Sequence, residues 1–302
     1  MRYKKRNYLF SLVLSVLIKL GLIRGKKKIE IFSKSLVIDL SLPGISNAIY
    51  SEKYREIDHT NIFSEKLLDK KKILDLGANI GYYMLLEATD SDKNSDILCI
   101  EPDPRNISLL KENIKINSLD QKVSVVEAVV SGKDGEVPIN IRDASNLNKI
   151  SENFIEDKNT ILIKSMTLNS IFKNHGKFDC LRMDVEGAES EILSKNSDNF
   201  LNSMPLGSLI FMEIHPNQYI GGDDAMTDAL NKIYNCGFKN YDIVTSGKKP
   251  HSKILNNLGK SENKYIDGKF NRFHYKNISF EYIKDFALHT PKIIRYIIAE
   301  KK

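Results

Sequence analysis

The chain has 302 residues, of which 41% are hydrophobic and 28% charged. That balance excludes a disordered chain and supplies enough apolar material to bury a sizeable core. The net charge is +6, yet nine Lys and Arg residues fall within residues 1–28, where there is no acid. The remainder carries 36 bases against 39 acids, which speaks against the basic groove a nucleic-acid enzyme needs.

Residues 1–28 are read as a basic apolar segment. The run from Tyr8 to Ile23 is shorter than the roughly 20 apolar residues a membrane span needs. Bases on both sides give no orientation, and no small-residue cleavage site follows. Ser11, Ser15 and Lys19 recur every four residues, a narrow polar stripe on an otherwise apolar helix. The pattern predicts a helix lying in the interface of an anionic membrane. Docking on the protein's own core or on a second subunit, and a true span, stay open.

Residues 29–69 are expected to form an extension. IEIFSKSLVIDLSL alternates as a small hairpin, Pro43-Gly44 breaks it, and 47–69 read as helical. From residue 70 to 302 strand and helix patterns alternate. Strands are predicted at 72–77, 96–101, 122–130, 178–185 and 208–215, each followed by a helical pattern or, after 122–130, by a side hairpin. That hairpin joins 137–141 to 160–166 around a polar stretch. Late strands are read at 238–244 and 271–278, an exposed loop at 246–264, and a helical tail at 281–300. Such alternation implies a doubly wound, mostly parallel α/β sheet, Rossmann-like, with ligands at the carboxyl ends of its strands. Cys99 and Cys180 sit in apolar runs, and with Cys236 they read as buried, reduced thiols of a cytoplasmic protein.

ILDLGANIGYY (73–83) places Asp75 at the end of a buried strand and Gly77, Asn79 and Gly81 before a helix. Gly77 allows a tight turn and close approach of a ligand, and Gly81 close helix packing. The spacing is GxxxG, neither the GxGxxG of dinucleotide sites nor a GxxxxGK loop. Alone it is weak. DILCIEPDP (96–104) adds Glu101 at the tip of a second strand, where an acid accepts both hydroxyls of a ribose. The alternative is that Glu101 caps the helix beginning at Pro104. Together the two segments point to an adenosine ligand.

GANIGYY, IEPDP, RMDVEGAE and MEIHP, in that order over about residues 50–276, resemble the FkbM family of S-adenosylmethionine-dependent methyltransferases. The resemblance implies the seven-stranded class I methyltransferase sheet and S-adenosyl-L-methionine as cofactor. It implies that Asp75, Gly77, Asn79 and Gly81 line the methionine end, that Glu101 holds the ribose, and that Glu127 and Ala128 flank the adenine. It further implies a hydroxyl acceptor, on a sugar or polyketide.

Methyl transfer to a hydroxyl requires an aligned acceptor and removal of its proton. In RMDVEGAESEIL, Asp184 and Glu186 face one way if the chain is extended, and Glu189 follows in the first helical turn. Acids there also stabilise a helix N-terminus. In FMEIHP, Glu213 and His215 share a face, and a histidine titrating near neutrality suits proton removal. His215, Asp184 and Glu186 are the candidate catalytic residues, and Asp184, beside the cofactor strand, is also a candidate cofactor-binding residue. Asp184, Glu186, Glu213 and His215 would suit a divalent metal, but their spacing does not demand one and none is assigned. His59 is a remote candidate for the site. His175, His251, His274 and His289 read as surface or packing residues.

The expected activity is O-methylation of a glycan, a lipid-linked sugar or a related small molecule. The expected location is cytoplasmic, with peripheral contact at the inner membrane face through residues 1–28. An N- or nucleic-acid methyltransferase lacks support, because no Asn/Asp-Pro-Pro-Tyr/Phe motif is present. A non-catalytic, membrane-tethered binding module on this fold is the remaining alternative. Acceptor contacts are expected from 44–60, 142–159 and 217–224.

Overall fold

The computed structural model describes residues 2–4, 7–42, 44–141, 149–150, 160–247, 263–267, 270–289 and 294–302. In chain order these form α1 (Tyr8–Lys19), β1 (Lys26–Ile31), β2 (Lys34–Asp39), α2 (Ile45–Glu52), α3 (Ile57–Leu67), β3 (Lys72–Leu76) and α4 (Tyr82–Asp90). Then come β4 (Asp96–Glu101), α5 (Pro104–Ile116), β5 (Val123–Glu127), β6 (Val129–Val130), β7 (Gly135–Asn140), β8 (Lys149–Ile150) and β9 (Thr160–Met166). The chain continues with α6 (Leu168–His175), β10 (Cys180–Met183), α7 (Glu189–Ser194), α8 (Asp198–Ser203), β11 (Leu209–Glu213) and α9 (Gly222–Asn235). It closes with β12 (Phe238–Gly247), β13 (Asn263–Asp267), β14 (Phe270–Tyr275), α10 (Phe280–His289) and β15 (Ile294–Lys301). The chain divides into two compact units. One is Met1–Lys70, Gly77–Ala128 and Glu136–Lys164, and the other is Lys71–Leu76, Val129–Gly135 and Ser165–Lys302.

In the first unit, α1 starts at Asn7, whose side chain accepts a hydrogen bond from Leu9 N. The helix packs on α2 and buries Leu14 and Ile18. The serine stripe is not turned to water. Ser11 and Ser15 are half-buried on the same side as Leu14 and Ile18. The outward side is aliphatic: Leu9, Leu12, Val13, Val16 and Leu20 are 46–70% exposed. No helix among the described residues is long and apolar enough to cross a membrane. The expected hairpin is present as β1 and β2, antiparallel, its two-residue turn made by Phe32 and Ser33 in left-handed conformation. Asn113 of α5, fully buried, holds β2 in place. Its side chain accepts from Val37 N (2.6 Å) and donates to Val37 O (3.0 Å) and Ile80 O (2.8 Å). β4 and β5 are parallel. Asp103 caps α5 and Pro104 fills its first turn.

In the second unit the strands lie in the order β13-β14-β12-β15-β11-β10-β3. β3, β10 and β11 run parallel, and their sequences ILDL, CLRM and LIFME are largely apolar, as in strands covered on both faces, with buried Asp75 and Arg182 paired between β3 and β10. The tail departs from the expected helix. α10 ends at His289, and β15 inserts antiparallel between β11 and β12. Ladder partners on both sides outweigh the helix-like spacing of its isoleucines. β13 pairs with β14 at the end of the segment read as a loop, most of which lies outside the described residues. α8 had no counterpart in the sequence reading. The side hairpin is present in part: β7 and β9 are neighbours in a small sheet, and β8 pairs antiparallel with β7. Most of 142–159 lies outside the described residues. Cys99, Cys180 and Cys236 are buried and unbridged.

Asn113→Ala leaves buried backbone groups of Val37 and Ile80 without their partner. Unfolding free energy should fall by about 2–4 kcal/mol, read from urea midpoints; an unchanged midpoint would show that these groups find other partners.

Candidate functional site

The chain leaves β3 in a sharp turn. Gly77, Asn79 and Gly81 have φ of +79°, +52° and +89°, conformations in which glycine and asparagine meet the least steric cost. A Cβ on Gly81 would lie 2.8 Å from Leu110 Cδ1 and Met84 Cε, the ends of two flexible side chains, so it is the φ of +89° more than the space that favours glycine there. Gly77 N and Ala78 N both donate to Ile100 O, at 3.0 and 3.3 Å. Asn79 N donates to Glu101 Oε2 at 2.8 Å. The glycine turn and Glu101 therefore meet, as the sequence predicts.

Glu101 is buried. Its Oε1 accepts from Asp103 N and from Asn106 Nδ2, both at 3.0 Å. It is not the cap of α5, since Asp103 fills that role with a bond to Arg105 N. With three of its four lone-pair positions filled, Glu101 keeps one acceptor position, on Oε2. Burial raises its pKa to about 7, against the hydrogen bonds from Asn106, Asp103 and Asn79. Glu127 lies opposite Glu101 in the β4–β5 ladder; it is half exposed and paired with Lys111, and Ala128 is fully buried. His59 is buried, its Nδ1 2.7 Å from Tyr83 Oη, which donates to Glu56.

A second arrangement forms at the carboxyl ends of β10 and β11. Asp184 N donates to Leu76 O, the end of β3, at 3.1 Å. The chain then bends rather than staying extended: Glu186 and Gly187 have φ of +51° and +101°. A Cβ on Gly187 would lie 2.2 Å from Gln218 O. Glu189, fully buried at the start of α7, turns back on this bend. Its Oε2 accepts from Gly187 N at 2.8 Å, and its Oε1 accepts from His215 N at 2.7 Å and His215 Nδ1 at 3.2 Å. Nδ1 must carry the hydrogen of that bond, because a carboxylate only accepts. Nε2 is thereby directed among three further acids: Glu186 Oε2 at 3.6 Å, Glu213 Oε1 at 3.8 Å and Asp184 Oδ1 at 4.0 Å. Tyr296 of β15 donates to the other oxygen of Glu213 at 2.7 Å.

Asp184, Glu186 and His215 are thus brought together as expected, with Glu213 and Glu189 beside them. Burial would push His215 down, but the Glu189 hydrogen bond and the charges of Glu189, Glu213 and Asp184 raise it to about 10. At neutral pH the imidazole is charged, which corrects the expectation of a histidine titrating near neutrality as base. Asp75 is fully buried, and its Oδ1 accepts from Arg182 Nη1 at 2.7 Å. Arg182 Nη2 donates to Asp184 Oδ2 at 3.1 Å. Burial raises Asp75, with Arg182 opposing; its Oδ2 has no hydrogen-bond partner.

Residues 75–239 match the methyltransferase FkbM domain, more than half of the chain. The chain belongs to the FkbM methyltransferase family. It is an S-adenosylmethionine-dependent methyltransferase with an α/β, mostly parallel sheet. Glu101 Oε2 keeps one acceptor position beside the backbone of Asn79, which is compatible with a ribose hydroxyl. Among solved structures this FkbM chain is similar to a methyltransferase FkbM from Methylobacillus flagellatus KT, with 16% identity, TM-score 0.39, and coverage of 56% of this chain and 37% of that one. It is also similar to a precorrin-6y C5,15-methyltransferase from Geobacter metallireducens, with 13% identity, TM-score 0.43, and coverage of 82% and 90%. An O-methyltransferase from Bacillus cereus in complex with SAH gives 11% identity, TM-score 0.41, and coverage of 81% and 79%. TM-scores this low leave the family match to carry the assignment. No curated protein matches the chain.

Arg182, Gly187 and Tyr296 escaped the sequence reading. An arginine inside the apolar run FDCLRMDV was the available signal for the first, since a charge buried in a strand needs a partner.

Glu101→Ala should weaken S-adenosylmethionine binding about tenfold or more in calorimetry. In the unaltered chain, protonation of Glu101 fills its last acceptor position. Affinity should therefore fall about tenfold as pH drops from 8 to 6 and level off above 8; a flat profile removes Glu101 from the ribose. Gly187→Ala should lower stability by about 1–3 kcal/mol, measured by denaturant titration, because the bend has no room for a methyl group.

Proposed function

We propose that this chain is an O-methyltransferase whose acceptor is a hydroxyl of a glycan or lipid-linked sugar. The observation that carries this is the ring of Asp184, Glu186, Glu189 and Glu213 about the imidazole of His215. S-adenosylmethionine supplies an activated methyl group on a sulfonium. The chain's own task is to orient the acceptor oxygen and take its proton. Asp184 and Glu186 keep 29% and 26% of their side chains exposed. They accept hydrogen bonds from sugar hydroxyls, and one of them takes the proton. His215, charged, is a positioning residue that holds the carboxylates around it. A carboxylate ring suits neutral polyols and repels phosphate, which disfavours nucleic acid.

The lipid-linked part rests on α1. Its docked side carries the serines and its free side the aliphatic residues, with bases before and after it. That face fits an anionic lipid surface, the aliphatic side chains entering the headgroup boundary and the bases meeting phosphates.

Glu186→Gln should lower methyl transfer about 100-fold without changing S-adenosylmethionine binding. The assay is donor turnover against fractionated cell glycans and lipids, read by mass; equal turnover excludes Glu186. Leu12→Glu with Val16→Glu should abolish co-sedimentation of the full chain with phosphatidylserine vesicles. Retained pelleting would sink the membrane contact.

A further inference from the structure

The ring around His215 gathers acids and one imidazole nitrogen about a common point. Nε2 faces three carboxylates from different chain positions at 3.6, 3.8 and 4.0 Å, beyond hydrogen-bond length from all of them. The opposite nitrogen, Nδ1, is instead fixed by Glu189, a carboxylate buried completely and bonded to two backbone amides. A carboxylate behind one nitrogen of an imidazole, with the other nitrogen aimed at a group of acids, is how proteins orient a histidine toward a metal ion.

We infer that Asp184, Glu186 and His215 hold a divalent cation of the Mn²⁺ type, with Glu189 orienting the histidine. One ligand atom from each of the three lies within 4.8 Å of the others. Oxygens and nitrogens at about 2.1 Å from a shared ion stand about 3.0–4.2 Å apart. The two histidine distances already fall in that range, and the widest pair needs to close by a few tenths of an ångström. Glu213 borders the ring, with one oxygen taken by Tyr296. Two carboxylates and one imidazole, whose Nε2 proton the ion displaces on binding, suit a borderline ion such as Mn²⁺ better than a thiophilic one. The inference deepens the hydroxyl reading above, because a cation there would bind and acidify an acceptor hydroxyl. It does not need that reading in order to be tested.

The test is titration of the full-length chain with MnCl₂, followed by the loss of the electron paramagnetic resonance signal of aqueous Mn²⁺. One ion per chain should bind. Asp184→Asn and His215→Gln should each weaken uptake at least about 100-fold, and Glu189→Gln about 10–100-fold, while S-adenosylmethionine binding by calorimetry is retained in His215→Gln and Glu189→Gln. Should Glu189→Gln fail to fold, the other two variants carry the result. Mn²⁺ should also raise the melting temperature of the unaltered chain and not that of Asp184→Asn. No uptake of Mn²⁺, Zn²⁺ or Mg²⁺ up to about 1 mM, weaker than any ordinary carboxylate site, overturns the inference. So does uptake that Asp184→Asn and His215→Gln leave intact. Uptake without methyl transfer to any hydroxyl keeps the ion and removes the hydroxyl reading. Transfer that persists after chelation, in a chain that takes up no ion, does the reverse.

Discussion

The Glu189 carboxylate sets the geometry of the acid ring. It is fully buried, a position that would cost several kcal/mol if its charge were unmatched. Three donors answer it: Gly187 N, His215 N and His215 Nδ1. Those donors come from the bend after β10 and from the end of β11, so one side chain fixes two loops. The bend can reach Glu189 only because Gly187 takes a left-handed conformation against Gln218 O, where no side chain fits. Asp184 and Glu186 are thereby placed before any ligand arrives, and a preorganised site loses less on binding than one that must order itself.

The cofactor turn uses the same device in the other unit. Glu101 accepts from Asn79 N, Asp103 N and Asn106 Nδ2, so it ties the glycine turn to the start of α5. Each of these acids has most of its acceptor capacity taken by the chain itself. For Glu101 this leaves one acceptor position rather than the two that would grip both hydroxyls of a ribose. A rigid single acceptor discriminates by direction, and it is sensitive to protonation because a proton occupies the same position.

The fold was legible wherever local pattern and tertiary context agree. Buried parallel strands need largely apolar runs, and ILDL, CLRM and LIFME supply them. The glycine turn was legible because left-handed φ values constrain residue type. β15 was not, since IRYIIAEK has spacing that suits either state and only its two neighbours decide. Asp184, Glu186 and His215 were found as acids and a histidine after strands, but on the premise of an extended chain. The observed bend brings them together by another route. Arg182 and Tyr296 reach the acids from positions two residues and more than eighty residues away in sequence, pairings that spacing does not encode. On α1 the stripe of serines was visible, whereas the side it faces depends on α2 and was not.

The charge of the ring narrows what can enter it. Four carboxylates, Asp184, Glu186, Glu189 and Glu213, surround one imidazole, and Arg182 pairs with Asp184. An incoming phosphate would meet these acids at short range. Like charges 4 Å apart repel by about 1 kcal/mol in water and by about 4 kcal/mol at the effective dielectric of a protein surface. Without an ion in the ring, two or three such terms, offset only in part by the charges of His215 and Arg182, exceed what a hydrogen bond returns. A neutral hydroxyl donates to the same oxygens at no such cost, and a cation gains from every one of them. On a lipid-linked sugar, the phosphate would have to lie away from the ring and the sugar hydroxyl within it.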